Sequence, residues 1–482
     1  MSGSFLFYDL ETWGLDPRKT RIAQFAAIRT TVDLEEIDTP VSLYVRPAAD
    51  FLPCPESALI TGITPQLADA EGLVEAEAFD RIHALMAEPD TCTLGYNTLK
   101  FDDAFVRFGL YRNFHDAYER EYRDGNSRWD MFNVIRAVHA LRPEGIQWRA
   151  REDVPEATSF RLEHLAEDNG LRHGMAHEAL SDVRATVGLA RLVKTHQPKF
   201  WHYLARLRDK RHVQQLINLT ELTPLMHIAG QYSPANRNAA IVVPISEHPV
   251  NRNQMLFVRV DVPLDDLASA DPDLTKTHYF TRRDALPEGV SRPPFTDIRV
   301  NESPTLIPLS DLRDADFERT AIDKTVVERN LAYLRKHRNA LASLARHVFA
   351  PSKASSQNDV DAALFDGFIA PADKALFRQI HACPPDALGA EGFRFQDARM
   401  PELFFRYRAR NWPEFLSFEE QACWQGHLAA CLNNGINAQY SLQAHAEKVE
   451  QLRVLNADNP HELGILDAMD AWRHALAQSL GS

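Results

Sequence analysis

The chain has 482 residues, 45% of them hydrophobic and 25% charged, with a formal net charge of −14. This is ordinary globular composition, and at roughly 100–200 residues per domain it implies about three domains. No apolar run approaches the ~20 residues of a membrane span, the opening MSGSFLFYDLE lacks the basic start of a signal peptide, and five scattered cysteines without a CxxC pair offer neither a disulfide framework nor a zinc site. A disordered, collagen-like or membrane-spanning chain is excluded, and a cytoplasmic location is expected.

In chain order, FLFYD (5–9), IAQFAAIRT (22–30) and VSLYV (41–45) are short β-branched or aromatic runs between turn residues, the pattern of an antiparallel meander. Phe79, Ile82, Leu85 and Met86 then recur at helical spacing, and TCTLGYN (91–97) reads as a buried strand. Helices are expected at 102–110, 130–141, 161–169 and 178–195, the third closed by Asn169-Gly170. Three strands followed by alternating helix and strand is the order of a ribonuclease-H-like α/β sheet, taken as a first domain over 1–197. From 198 to 351 strand-like runs such as IVVPIS and QMLFVRVDV, broken by Pro, Asn and Asp, predict a mainly β domain with helical additions near 324–348. The Ser-rich PSKASSQND (351–359) reads as a linker, and 352–482 as a helical domain.

Asp9 and Glu11 stand at positions i and i+2 at the end of the first strand, so their carboxylates share one face. Hard cations such as Mg²⁺ take oxygen ligands of this kind. The D-x-E spacing alone is weak, because it recurs at Asp33–Glu35 and Asp69–Glu71. Asp102 opens the helix after the TCTLGYN strand, where an acid also serves the helix dipole. His177 and Asp182 lie at the entry and first turn of the long helix; the same spacing at His381–Asp386 crosses Cys-Pro-Pro and cannot be helical.

Taken together, D-x-E, a later D and H-x4-D resemble the histidine-containing branch of the DEDD 3′–5′ exonucleases. FLFYDLETWGLDP, AQFAAIRT, LITGITPQ, LGYNTLKFDD, YRNF, NSRWD, ALRPEGI, SFRLEHL, AHEALSDVRAT, NDVDAALFDGF and RYRARNWPEF narrow the resemblance to the bacterial exodeoxyribonuclease I family, over essentially the whole chain. The resemblance implies a DnaQ-like exonuclease domain, an SH3-like β domain and a C-terminal α-helical domain. It implies that single-stranded DNA is degraded 3′ to 5′ to 5′-mononucleotides, in DNA repair and recombination, by hydrolysis at two Mg²⁺ ions for which Mn²⁺ can substitute. Asp9, Glu11 and Asp182 would hold the metals, Asp102 would assist, and His177 would be the general base. Departures are small: Leu10 stands where an aromatic is usual, Tyr122 where a Trp occurs, and Glu178 where Asp is common.

Single strands bind basic grooves with aromatic faces for the bases. Between Lys100 and Arg151 the family pattern favours Arg107, Tyr118, Tyr122, Arg136 and Arg142 as strand contacts and Arg161 near the scissile end, with Glu11 also at the substrate; Trp129 and Phe132 are expected in the core. A second stretch, 184–212, holds eight basic residues against the single acid Asp209, placed to form one wall of a channel. The resemblance also implies a monomer that binds the C-terminal tail of single-stranded DNA-binding protein, with Arg335, Lys336 and Arg338 as candidates. The rival readings are an RNA-acting or proofreading exonuclease, which such a long chain disfavours, and an inactive DNA-binding scaffold, which the complete acid set disfavours.

Overall fold

The computed structural model describes residues 3–171, 178–351, 358–390 and 392–480. The chain opens with strands β1 (Ser4–Thr12), β2 (Ile22–Thr31) and β3 (Val41–Tyr44), then helices α1 (Pro55–Thr61), α2 (Pro65–Glu71) and α3 (Glu75–Ala87). Next come β4 (Thr91–Gly95), α4 (Asp102–Arg112), β5 (Ser127–Asp130), α5 (Met131–Leu141), α6 (Leu162–Asp168) and α7 (Ala179–His196). The middle of the chain holds α8 (Pro198–Arg206), α9 (Lys210–Leu216), β6 (Leu225–Ile228), β7 (Ala239–Glu247), β8 (Gln254–Arg259), α10 (Pro272–Phe280), β9 (Phe295–Arg299) and β10 (Thr305–Pro308). It closes with α11 (Asp314–Thr320), α12 (Lys324–Lys336) and α13 (Arg338–Val348), and the last part holds α14 (Pro371–Ala382), α15 (Met400–Asn411), α16 (Phe418–Asn434), α17 (Leu442–Leu455) and α18 (Pro460–Ser479).

These elements form two compact units: Met1–Ser127 with His173–Ala185 and Ser356–Ser482, and Arg128–Arg172 with Thr186–Ser355. The first unit holds a mixed sheet in the order β3-β2-β1-β4. In the first unit β1 is central, antiparallel to β2 and parallel to β4. The even-numbered side chains of β1, Leu6, Tyr8 and Leu10, enter a core with Phe25, Phe79, Ile82, Phe105 and Val106 from β2, α3 and α4. Gly109 lets α4 press onto α3: a Cβ there would lie 1.8 Å from Cζ of Phe79. A second core joins Phe108, Tyr111 and Phe114 to Leu364, Phe377, Leu403 and Tyr407, so the C-terminal helices pack within the same unit as β1.

Buried ion pairs reinforce that union. The Arg410 guanidinium donates to Asp50 (2.9 and 2.7 Å) and to both oxygens of Asp361 (2.7 and 2.5 Å), all three side chains almost fully buried. Burial alone would raise both carboxyls; the Arg410 charge, with a His427 hydrogen bond at Asp50, reverses this and holds both well below the usual range.

In the second unit the sheet order is β10-β6-β7-β8-β9, every neighbouring pair antiparallel. The register of β7 against β8 shifts between Pro244 and Ser246, where proline removes a ladder donor. Helix α13 packs beside β7, and its Leu341, Ala345 and Val348 are buried.

The α/β sheet, the β-rich middle and the helical end match the expected classes. Several elements escaped the sequence reading, the short helices α1, α2 and α11 among them. β5 is only four residues, too short for a periodic signal. Helices α8 and α9 open the segment expected to be mainly β, and α10 begins at Asp271-Pro272, a cap and first-turn pair that is a usable signal. All five cysteines are free, and among the described residues no helix is long and apolar enough to cross a membrane. Of the expected linker 351–359, residues 352–357 lie outside the described residues.

Removing one partner of a buried ion pair costs about 3–5 kcal/mol because the other charge is stranded. Arg410→Met, which keeps the bulk of the side chain but leaves Asp50 and Asp361 without their shared cation, is therefore expected to lower unfolding stability by about that amount in urea denaturation. A midpoint unchanged from the parent would show that the network contributes nothing.

Candidate active site

The site is built at the carboxyl end of β1. Pairing with β4 ends at Phe7–Leu94, while pairing with β2 continues through Asp9–Ala26 and Glu11–Gln24. Asp9 and Glu11 therefore project from the stretch of β1 that β4 no longer covers, on the face opposite Leu6, Tyr8 and Leu10. Carboxyl ends of strands are where α/β sheets open to ligands. Gly95 ends β4 tightly against this point, since a Cβ there would lie 2.3 Å from the Tyr8 carbonyl oxygen.

Asp182 comes from the first turn of α7. One ligand oxygen from each of Asp9, Glu11 and Asp182 lies within 4.8 Å of the others. Glu11 is 9% exposed and Asp9 and Asp182 are half-buried. Burial and the charges of Asp9 and Asp182 push the Glu11 carboxyl up to about 9. Asp9 is likewise raised well above the usual carboxylate range, by burial first and then by the charges of Asp102 and Asp182. Asp102, buried at the start of α4, thus belongs to the same electrostatic cluster. His177 lies outside the described residues.

The acid beside Asp102 has a different place, which the sequence did not reveal. Asp103 is buried and accepts from Tyr8 Oη at 2.8 Å and Arg120 Nη2 at 2.7 Å. Its backbone N–H donates to the Thr98 carbonyl at 2.9 Å. This lock fixes the first turn of α4 against β1, and with it Asp102. The doubled Asp-Asp was visible in the sequence; the distant Arg120 and Tyr8 that separate the two acids were not.

The expected strand contacts divide between the units. In the first, Arg107 forks onto Glu121 at 2.7 and 3.1 Å, with its guanidinium 5.6 Å from the Tyr118 ring centre. Tyr118 is half-buried, and Tyr122 is 67% exposed. In the second, Arg136 is buried, 4.2 Å over the Phe132 ring. Arg142 pairs with Asp316 at 2.5 Å and lies 5.6 Å from the Phe200 ring. Arg161, just before α6, is exposed. Trp129 is buried as expected, whereas Phe132 is only partly so. In the 184–212 stretch, Asp209 caps α9, Arg208 lies 5.6 Å from the Trp129 ring, and Lys210 reaches Asn253 Oδ1 at 2.6 Å. Part of that basic run thus serves the fold itself.

The chain matches three family models in succession: Exonuclease over residues 6–190, Exonuclease I SH3-like domain over 208–351, and Exonuclease I C-terminal domain over 358–476. Exodeoxyribonuclease I of Escherichia coli (strain K12) is 38% identical over 473 residues, covering 98% of this chain and 97% of that protein. A crystal structure of E. coli Exonuclease I in complex with a dA16 oligonucleotide superposes with a TM-score of 0.93 at 37% identity, over 98% of this chain and 100% of that one. The zinc-bound form of an E. coli ExoI–ssDNA complex gives 0.92 at 38% identity, over 99% and 100%. The chain belongs to the exodeoxyribonuclease I family.

Proposed function

We infer that this chain is a metal-dependent exonuclease that degrades single-stranded DNA from the 3′ end and releases 5′-mononucleotides. The observation that carries the reading is the convergence of Asp9, Glu11 and Asp182 within 4.8 Å, in a chain similar over nearly its whole length to exodeoxyribonuclease I. Crowded carboxylates with raised proton affinity are a poor arrangement for a protein alone and a good one for cations. The donors are all carboxylate oxygens, which fits Mg²⁺, with Mn²⁺ as a substitute.

Asp9, Glu11 and Asp182 would hold two ions, with Asp102 supporting them. Bound there, the ions supply charge neutralisation at the scissile phosphate and a water of lowered pKa. The protein's own part is to hold the acids on rigid elements: β1 for two of them, and the first turns of α4 and α7 for the others. His177 takes the proton from the attacking water, a task suited to an imidazole near neutral pH. Arg161 contacts the strand near the scissile end. Tyr122 offers an exposed ring for base stacking; Arg107 and Tyr118 of the first unit, and Arg136 and Arg142 of the second, are further strand contacts. The protein acts as a monomer in the cytoplasm, in DNA repair. The exposed Arg335 and Lys336 on α12 meet the acidic tail of single-stranded DNA-binding protein; Arg338 already donates to the Leu219 carbonyl at 2.7 Å.

The decisive assay is a gel time course with 5′-labelled single-stranded DNA, matched RNA and blunt duplex. Single-stranded DNA alone should be consumed with Mg²⁺, and EDTA should stop the reaction. Asp9→Ala and Asp182→Ala should each slow it about a thousandfold or more, the equivalent of about 4 kcal/mol at the transition state. Faster loss of RNA would reassign the substrate, and undiminished digestion by either variant would refute the site.

The raised carboxyls set a pH dependence. Without metal, the folded state keeps protons that the unfolded chain releases between the ordinary carboxylate range and about 9, so stability must fall as pH rises through that window. Thermal melts in EDTA should decline from pH 5 to 9 more steeply than melts in Mg²⁺. Glu11→Gln should flatten the EDTA curve and stabilise the metal-free protein at pH 8 by about 1–3 kcal/mol, each tenfold of proton affinity being worth about 1.4 kcal/mol. Parallel curves with and without metal would contradict the crowding.

A further inference from the structure

A second cluster of metal-ligating side chains lies in the first unit, made from residues the catalytic site does not use. Asp80 projects from α3, His115 follows the end of α4, and His381 sits in the last turn of α14. One ligand atom from each lies within 4.8 Å of the other two. His115 Nε2 is 2.9 Å and His381 Nδ1 3.2 Å from the same oxygen, Oδ1 of Asp80. Four-coordinate zinc with bonds of 2.0–2.1 Å sets its ligand atoms about 3.3 Å apart. The His381 separation is close to that, whereas the 2.9 Å of His115 is a hydrogen-bond length that a shared ion would open by a few tenths of an ångström.

The hydrogen bonding favours a cation between these groups. His381 Nε2 is 3.1 Å from the carbonyl oxygen of Phe114. A carbonyl only accepts, so the proton of neutral His381 sits on Nε2 and its Nδ1 lone pair faces a carboxylate oxygen. That contact is repulsive unless a proton or a metal ion lies in it. A proton would make an imidazolium stacked 4.1 Å from His115, which stacks in turn 4.3 Å from His83. A metal ion uses the same lone pair and is shared with His115 and the Asp80 carboxylate, which partly neutralises it. The Phe114 carbonyl then plays the part of the outer partner that fixes the tautomer and orientation of a metal-bound histidine.

We propose that Asp80, His115 and His381 form a binding site for one Zn²⁺ ion, separate from the catalytic carboxylates, that clamps α14 to α3 and the turn after α4. Two imidazoles and one carboxylate are a borderline donor set that selects zinc over magnesium. Asp80 is 53% exposed, so water has access to the fourth position. The ion sits beside the aromatic core in which Phe114 meets Phe377 edge-on at 5.3 Å, and its effect is on the stability of this unit rather than on the reaction.

The test is equilibrium dialysis of the full chain against Zn²⁺ in saturating Mg²⁺, with thermal melts alongside and Co²⁺ as an absorbing substitute. The expected result is one Zn²⁺ retained per chain and a raised melting temperature, both preserved in Asp9→Ala. Both should be lost in His381→Gln and in Asp80→Asn, with DNA digestion in Mg²⁺ unchanged. Asp80→Asn alters a half-exposed helix position and so remains informative if the histidine variant does not fold. Zinc that persists in Asp80→Asn but disappears in Asp9→Ala would place the ion at the catalytic carboxylates and overturn the proposal. No retained zinc in the parent would overturn it as well.

Discussion

Mutual repulsion among Asp9, Glu11 and Asp182 is the constraint around which the first unit is organised. Three carboxylates within 4.8 Å separate or take up protons unless the backbone holds them and cations compensate. The holding comes from the sheet. β1 is central, with neighbours on both sides over its first half and β2 alone beyond Phe7. The strand is therefore anchored where it is buried and open where it carries its acids. Asp182 rides on a helix and Asp102 on another, so each acid is placed by an element with its own hydrogen-bonded backbone rather than by a loop.

The same problem, solved differently, recurs away from the site. Asp50 and Asp361 are as buried as Glu11 but share the Arg410 guanidinium, and their carboxyls are held low rather than high. Asp103 likewise has Arg120 and Tyr8. Asp50, Asp103 and Asp361 each have an arginine beside them, whereas the charges that raise Asp9 and Glu11 are those of other carboxylates. This contrast in partners distinguishes the candidate-site acids from these other buried acids better than burial does.

Basic residues show the complementary pattern. Arg107, Arg136 and Arg142 are engaged with Glu121, the Phe132 ring and Asp316. Each of these charges is thereby partly spent within the fold. Arg161 and Tyr122 are exposed. A chain of net charge −14 can still present local positive ground, because the field near a strand depends on the nearest charges.

Much of the fold was legible because it rests on local signals. The strand at Ser4–Thr12 and the helix at Ala179–His196 are long and periodic, and position i, i+2 on a strand puts Asp9 and Glu11 on one face whatever the rest of the chain does. The sequence motifs also carried the family. Tertiary structure alone decided which of Asp102 and Asp103 faces the acids, because the choice depends on Tyr8 and Arg120, far away in the sequence. It alone brought Arg410 to Asp50 across 360 residues, and Asp80, His115 and His381 to one point from three separate elements. Periodicity reports which face of an element is buried; it carries no information on which distant side chain that face will meet.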